Sequence, residues 1–452
     1  MKIVIVGGGV VGYSLADQLI RDKHTISLIE HEAAIAEKIA EKLDLQVLAS
    51  SGSSPQALED AGIDGADMVI AVTPIDEINI VVCSIAKQFG VPQRIARLRN
   101  QEFISPDRRV SLLDLGVTDF IFPEKVVVDS ILQYIETPGA SDAVNFEDGQ
   151  ILLRGYDIRE GMPMAGKSLI ELRQLLEPEI FIVAAVIRNH KGIIPAGDFV
   201  IEPGDKVFSL FPRSMINKFL ELVSTSAHET KRVVLTGNNL STLALATAIQ
   251  EIVPTVILAD PDRNNAEEMA VKLSKTEVVH GDCTEADTLK EIDINRADFF
   301  IATSNEPDYN MLSALLAKSE GAREVIAVSM DDRQDKLFHS IGIDHVINPR
   351  LTAAKEIMQL ISRGHIGVMA KLGDAEIEAA RLNVPENSKI AGMPLHRAWK
   401  KIRQGAIVGM IIRDEKVIIP KAETIFEPND HVITIAYTRS LSNIRKLFKS
   451  QD

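Results

Sequence analysis

The chain has 452 residues, too many for one ordinary core, and its length suggests about three or four domains. Hydrophobic residues make up 46% and charged residues 25%, which excludes extended disorder, and a net charge of -15 argues against a nucleic-acid surface or adhesion to anionic lipid. Only Cys83 and Cys283 occur, so a disulfide framework and a multi-thiolate zinc cluster are both excluded and a reducing cytosol is expected.

In chain order the first element is a strand over Lys2–Val6, entered with no leader pattern before it, which points to a cytoplasmic protein. It runs into Gly7-Gly8-Gly9-Val10-Val11-Gly12, a G-x-G-x-x-G turn that opens a helix over Val10–Arg21. Gly7 permits the tight turn, Gly9 lets the backbone approach a pyrophosphate, and Gly12 allows close helix–strand packing. Amides at the helix start face an anion with favourable dipole sign. A second strand, Thr25–Ile29, is followed by Glu30, a carboxylate placed to accept from ribose hydroxyls and to repel a 2′-phosphate. These residues predict binding of NAD(H) or of an adenine nucleotide such as ATP or ADP.

Strands over Leu45–Leu48, Met68–Val72, Arg94–Leu98 and Asp119–Phe122 follow, with helical spacing between them, as over Glu77–Phe89. Six strands with helical crossovers predict a Rossmann-like, doubly wound parallel sheet of the α/β class. A helix over Val126–Glu136 leads to Pro138–Gly139, and a small β-rich α+β lobe with Gly/Pro/Asp turns such as Glu202–Asp205 comes next. Its most apolar run, Ile180–Ile187, is too short to span a bilayer. Near its start, Gly161–Ser168 reads GMPMAGKS, the spacing of a P-loop.

From Arg232 the chain repeats itself. Arg232–Ile249 answers Lys2–Leu19, Arg296–Ser304 answers Gly65–Thr73, Gly342–Pro349 answers Gly116–Pro123, and Arg413–Ile435 answers Arg188–Leu210. A period this long is a duplicated domain pair, not a solenoid. The second turn, Gly237-Asn238-Asn239-Leu240-Ser241-Thr242, keeps only its first glycine, while Asp260 survives at the ribose position. Asn239 places a side chain where the pyrophosphate needs bare backbone, so a fold kept for structure and a working or altered site both remain open. The repeat also judges the P-loop spacing. Its counterpart Glu386–Leu395 keeps Gly392 and Leu395 but loses the Lys and the Ser, which points to a packing turn at Gly161–Ser168 rather than an ATPase.

Residues for covalent or acid–base chemistry are not assembled. His24, His31 and His190 are scattered in polar contexts, and no Ser/His/Asp spacing or H-E-x-x-H motif occurs. A binding protein is therefore expected, with an NAD-dependent oxidoreductase as the alternative.

Two Rossmann-like lobes, each followed by a small β-rich lobe, resemble the RCK (KTN) regulatory family, and within it the TrkA-like subunits of Trk potassium uptake systems. The resemblance rests on Val4–Gly12, Glu30, Ala61–Thr73, Asp76–Asn79, Arg94–Asn100, Ile201–Asp205 and Phe426–Asp430. It implies a non-enzymatic sensor, peripheral on the inner face of the cell membrane, that gates a TrkH/TrkG-like potassium-translocating subunit. It implies a homotetramer forming a ring of eight RCK units. It divides the chain into RCK_N lobes over 1–137 and 230–363 and RCK_C lobes over 138–226 and 366–450. By motif, Gly7, Gly8, Gly9, Val10, Val11 and Gly12 would hold the pyrophosphate and Glu30 the ribose, with Thr73 nearby and Arg97 facing a phosphate. Gly237 and Asp260 mark the second site, where Val328 stands opposite Arg97. No metal site is implied.

Overall fold

Strands buried on both faces read as continuous apolar runs, and the runs of the first half do form a sheet of that kind. The computed structural model describes residues 1–103, 110–175, 181–223, 230–330, 332–362, 367–373, 376–402 and 405–449. In the first lobe, β1 (Lys2–Val6), β2 (Thr25–Glu30), β3 (Gln46–Ala49), β4 (Met68–Ala71), β5 (Gln93–Arg97) and β6 (Asp119–Ile121) lie in the order β3-β2-β1-β4-β5-β6. All five pairings are parallel. The order reverses between β1 and β4, so the first lobe has the switch point at which open α/β sheets bind ligands.

Helices α1 (Val10–Arg21), α2 (Ala33–Lys42), α3 (Pro55–Asp60) and α4 (Asp76–Gln88) cross between strands, and α5 (Pro123–Glu136) follows β6. Several ends differ by a residue from the sequence reading. The last helix starts three residues earlier than expected, at Pro123, because proline's fixed φ and missing N–H suit the first helical position. The second half repeats the sheet, with Glu277–His280, Thr255–Asp260, Arg232–Thr236, Phe299–Ala302, Glu324–Val328 and His345–Ile347 in the same order.

The two β-rich lobes are five-stranded and antiparallel. One orders Lys191–Ile193, Ile182–Arg188, Lys206–Pro212, Ile151–Asp157 and Asp142–Phe146; the other orders Gly367–Lys371, Ile377–Asn383, His431–Tyr437, Ala406–Arg413 and Lys416–Ile418. Each carries the same staple. Arg188 forks onto Asp205 with Nε–Oδ1 at 2.6 Å, and Arg413 forks onto Asp430 at 2.8 Å, both aspartates buried. A bidentate pair of this kind pins the turn into the last strand.

The chain forms two compact units, each taking one lobe from each half. One comprises Met1–Asp129 with Arg232–Leu360, and the other Ser130–Lys231 with Ile361–Asp452. In the second unit the two β-rich lobes share a core, where Phe208 and Leu210 pack in one cluster with Met410, Ile433 and Ile435. Among the described residues, no helix is long and apolar enough to cross a membrane.

Candidate functional site

The turn after β1 is built as its glycines require. Gly7 has φ +107°, a left-handed value, and a Cβ there would lie 3.0 Å from the Thr73 nitrogen. A Cβ at Gly12 would lie 1.8 Å from the Gly7 carbonyl oxygen, so only glycine lets α1 start this close to the strand. Gly9 is different. It is exposed, has φ −61°, and a Cβ there would meet nothing within 4 Å. It starts α1 with no side chain capping the first helical amides. An uncapped helix start of this kind is ready for an anion.

Glu30 lies against the same turn, only 6% exposed. Gly8 N–H donates to its Oε2 at 2.5 Å, and Glu32 N–H donates to Oε1 at 2.9 Å. Burial works to raise its pKa, but the Glu32 and Gly8 amides and His31 outweigh it and hold the carboxyl below its ordinary range. A carboxylate has about four lone-pair sites, so acceptor capacity remains for ribose hydroxyls. His31 places Nδ1 3.0 Å from Glu30 Oε1 while its ring stays mostly exposed.

Thr73 lies beside the turn, but its hydroxyl is engaged locally, 2.8 Å from Asn79 Oδ1. Asn79 is fully buried and was not among the expected site residues. It accepts from Thr73 N–H and donates to the Thr73 and Arg97 carbonyls, tying the ends of β4 and β5 together. Asn310 does the same in the second lobe, donating to the Ser304 and Val328 carbonyls. The signal was present in the repeat, since Asp76–Asn79 and Pro307–Asn310 both end in this asparagine. Asp76, also buried, accepts from the Arg99 and Asn100 amides at 2.8 and 2.7 Å and orders the loop after β5.

The second turn keeps the geometry at Gly237, with φ +127°, and fills the space behind it with side chains. Asn239 caps the helix Leu240–Ile249 with its own side chain: Thr242 N–H donates to Asn239 Oδ1 at 2.9 Å, and Asn239 Nδ2 donates to the Thr303 carbonyl. Thr242 stands where Gly12 does and lies fully buried, its hydroxyl 2.9 Å from that of Thr303. The Thr242 amide is thus already taken. Asp260 is one methylene shorter than Glu30. The Asp262 amide donates to Asp260 Oδ1 at 2.8 Å, and the net effect, led by burial, is to push its pKa up.

Arg97 ends β5. It lines a cleft of about 540 Å³ whose other side is Asn238–Ser241 of the second turn, and Gly7–Gly12 are not part of that lining. Burial, then the neighbouring Arg99 charge, lowers its pKa from the ordinary arginine value.

The GMPMAGKS stretch is a helix-capping turn. Ser168 and Glu171 form a capping box: Glu171 N–H donates to Ser168 Oγ, and the Ser168 amide and hydroxyl both reach Glu171 Oε2, at 2.7 and 2.8 Å. The Glu171 carboxylate therefore occupies both Ser168 donors. Gly166 N–H donates to the Ile201 carbonyl, as Gly392 N–H donates to that of Phe426 in the other lobe.

The TrkA-N domain family matches residues 3–123 and 233–349, and the TrkA-C domain family matches 153–224 and 379–449. The chain is 30% identical to the Trk system potassium uptake protein TrkA of Haemophilus influenzae, covering 99% of both chains. It is 31% identical to a TrkA homolog of Methanosarcina mazei, covering 99% of this chain and 100% of the other. Among solved structures, the GsuK channel bound to NAD shares the fold, with a TM-score of 0.60 at 18% identity over 99% of this chain and 78% of that one.

Proposed function

The chain belongs to the TrkA family of potassium uptake proteins, and from that premise we propose that it is a nucleotide-sensing regulatory subunit which gates a Trk-type, TrkH/TrkG-like membrane partner. The observation that carries the reading is the contrast at the helix starts. No side chain caps the helix start at Gly9, while Asn239 caps the Thr242 amide of its own helix, which supports nucleotide occupancy in the first lobe. NAD(H), ATP and ADP all carry the pyrophosphate that this turn suits and the ribose that Glu30 suits. The nucleotide acts as a ligand and not as a reactant. By linkage, a nucleotide that favours one ring conformation shifts the population, with a coupling of about 1–3 kcal/mol. In this reading the chain assembles as a homotetrameric ring and sits peripherally on the inner face of the membrane.

Native mass spectrometry of the protein with NADH, ATP or ADP tests both parts. One nucleotide per chain supports the reading, whereas two per chain or none sinks the assignment to the first turn. Co-purification of a potassium-translocating membrane subunit tests the partner.

A further inference from the structure

Glu30 carries more partners than a carboxylate waiting for a ribose needs. Its Oε2 accepts from the Gly8 amide at 2.5 Å, and its Oε1 accepts from the Glu32 amide at 2.9 Å. A third group, His31 Nδ1, lies 3.0 Å from that same Oε1. An ionised carboxylate only accepts, so the proton of this bond sits on Nδ1, in the neutral ring as in the imidazolium. Each carboxylate oxygen offers about two lone-pair sites, which fills Oε1 and leaves one site on Oε2. A ribose brings two vicinal hydroxyls. For the diol to use both oxygens, one donor must leave Oε1.

Of the two donors on Oε1, the amide is fixed and the ring is not. Glu32 N–H belongs to the backbone that starts α2, and the second lobe keeps the same bond, Asp262 N–H donating to Asp260 Oδ1 at 2.8 Å. The imidazole has no such counterpart. Pro261 stands opposite His31 and offers neither an N–H nor a side-chain donor. The His31 side chain is 74% exposed against 7% for Glu30, so the ring can swing into water while the carboxylate stays in place.

The His31 bond is also the one on Glu30 whose strength depends on a proton, since the imidazolium makes it a charge-assisted pair. The carboxylate itself stays ionised where imidazoles titrate: burial works against the charge, but the Glu32 and Gly8 amides and His31 outweigh it and hold its pKa below the ordinary 4.5. The ionisable groups next to the ring are Glu30 on β2 and Glu32, exposed at the start of α2, while the turn after β1 reaches the carboxylate through the Gly8 amide.

We propose that His31 is a proton-sensitive latch on the ribose carboxylate: its ring holds Glu30 Oε1 in the free protein and yields it to the ribose diol, so that nucleotide affinity falls as His31 is protonated. The latch rests on the reading of the first turn as a nucleotide site and adds a regulator to it. It belongs to the first lobe alone, because the second has proline at that position.

The test is calorimetric titration of the full chain with NAD⁺ between about pH 5.5 and 8, for wild type, His31→Ala and His31→Gln. The pyrophosphate diester of NAD⁺ has no proton to lose in that window, so the ligand adds no slope of its own. Wild type is expected to bind about threefold to fivefold more tightly at the alkaline end than at the acid end, the scale of an exposed ion pair. Both variants are expected to bind at least as tightly as wild type throughout, with a flat profile. A flat wild-type profile, or the same slope in the variants, overturns the latch. So does weaker binding by both variants at the alkaline end, which would make the ring a ribose contact. A second titration reads the diol itself. The ratio of ADP to 2′-deoxy-ADP affinity, in which phosphate titration cancels, rises in His31→Ala, and an unchanged ratio overturns the proposal. If neither wild type nor the variants bind NAD⁺ or ADP, the nucleotide reading of the first turn fails and the latch falls with it.

Discussion

The turns at Gly7–Gly12 and Gly237–Thr242 close the same strand, start the same crossover helix and are each braced by a buried asparagine, Asn79 or Asn310. They differ in what fills the space between strand and helix. In the first turn backbone touches backbone, with Gly12 pressed against the Gly7 carbonyl and nothing above Gly9. In the second, Asn239, Thr242 and Thr303 form a side-chain network in that space. Duplication has kept the scaffold and changed the residues that fill the space between strand and helix. A Rossmann-like sheet is thus no proof of a Rossmann-like site.

Swapping the residues that differ breaks the comparison most directly. Gly12→Thr forces a side chain into the 1.8 Å approach to Gly7 O and is expected to cost about 3 kcal/mol of stability or more. The reverse change, Thr242→Gly, removes one buried hydroxyl network and is expected to cost about 1–2 kcal/mol. Chemical denaturation of both variants measures the difference, and equal losses would mean that the two turns are packed alike.

Gly9→Asp separates site from fold. Space and backbone angle both accept the new side chain, and aspartate is a favoured N-cap, so the melting temperature is expected to hold or rise. Its carboxylate occupies the pyrophosphate approach, and nucleotide affinity is expected to drop by about a hundredfold or more. Titration with NADH and ATP reads this out. Unchanged affinity would move the nucleotide away from the first turn.

Much of this contrast could be read from the residues, for reasons that differ by element. Strands of a doubly covered parallel sheet are uninterrupted apolar runs, so β1 and β4 stand out, whereas half-exposed β3 was placed a residue early. The turn and Glu30 are local in sequence and appear as a pattern. The capping box at Ser168–Glu171 was equally local, a Ser-x-x-Glu that explains the P-loop spacing once the carboxylate is noticed. The surroundings of Arg97 were not legible. Its position in the chain marks the end of β5, but what it faces depends on how the second lobe is apposed, and no periodicity encodes that. Asn79 lay between these cases, visible only by comparing one copy with the other.

Truncating the two caps sharpens the comparison with a smaller effect. Asn239→Ala loses the bond to the Thr242 amide and is expected to cost about 1 kcal/mol. Gly9→Ala loses no cap bond, and its φ lies in the ordinary range, so its stability change is expected to stay near zero. Equal costs in thermal unfolding would show that Asn239 is not the functional cap of its helix.

The smallest effect concerns the two acids, and it has opposite sign in the two lobes. Glu30 has a folded pKa below its ordinary 4.5, so its contribution is fully present above that value and is lost as pH falls through the folded one. Asp260 has a folded pKa above its ordinary 3.8. Ionising it therefore opposes folding, a penalty absent below 3.8 that grows as pH rises through the folded value. Glu30→Gln should accordingly destabilise at neutral pH, with the difference from wild type shrinking under acid. Asp260→Asn should gain on wild type as pH rises from about 3 to 6. Unfolding free energies across that window measure both slopes. Parallel slopes would show that the two carboxylates are held alike, and the extra methylene that lets Glu30 reach the Gly8 amide would then have no energetic consequence.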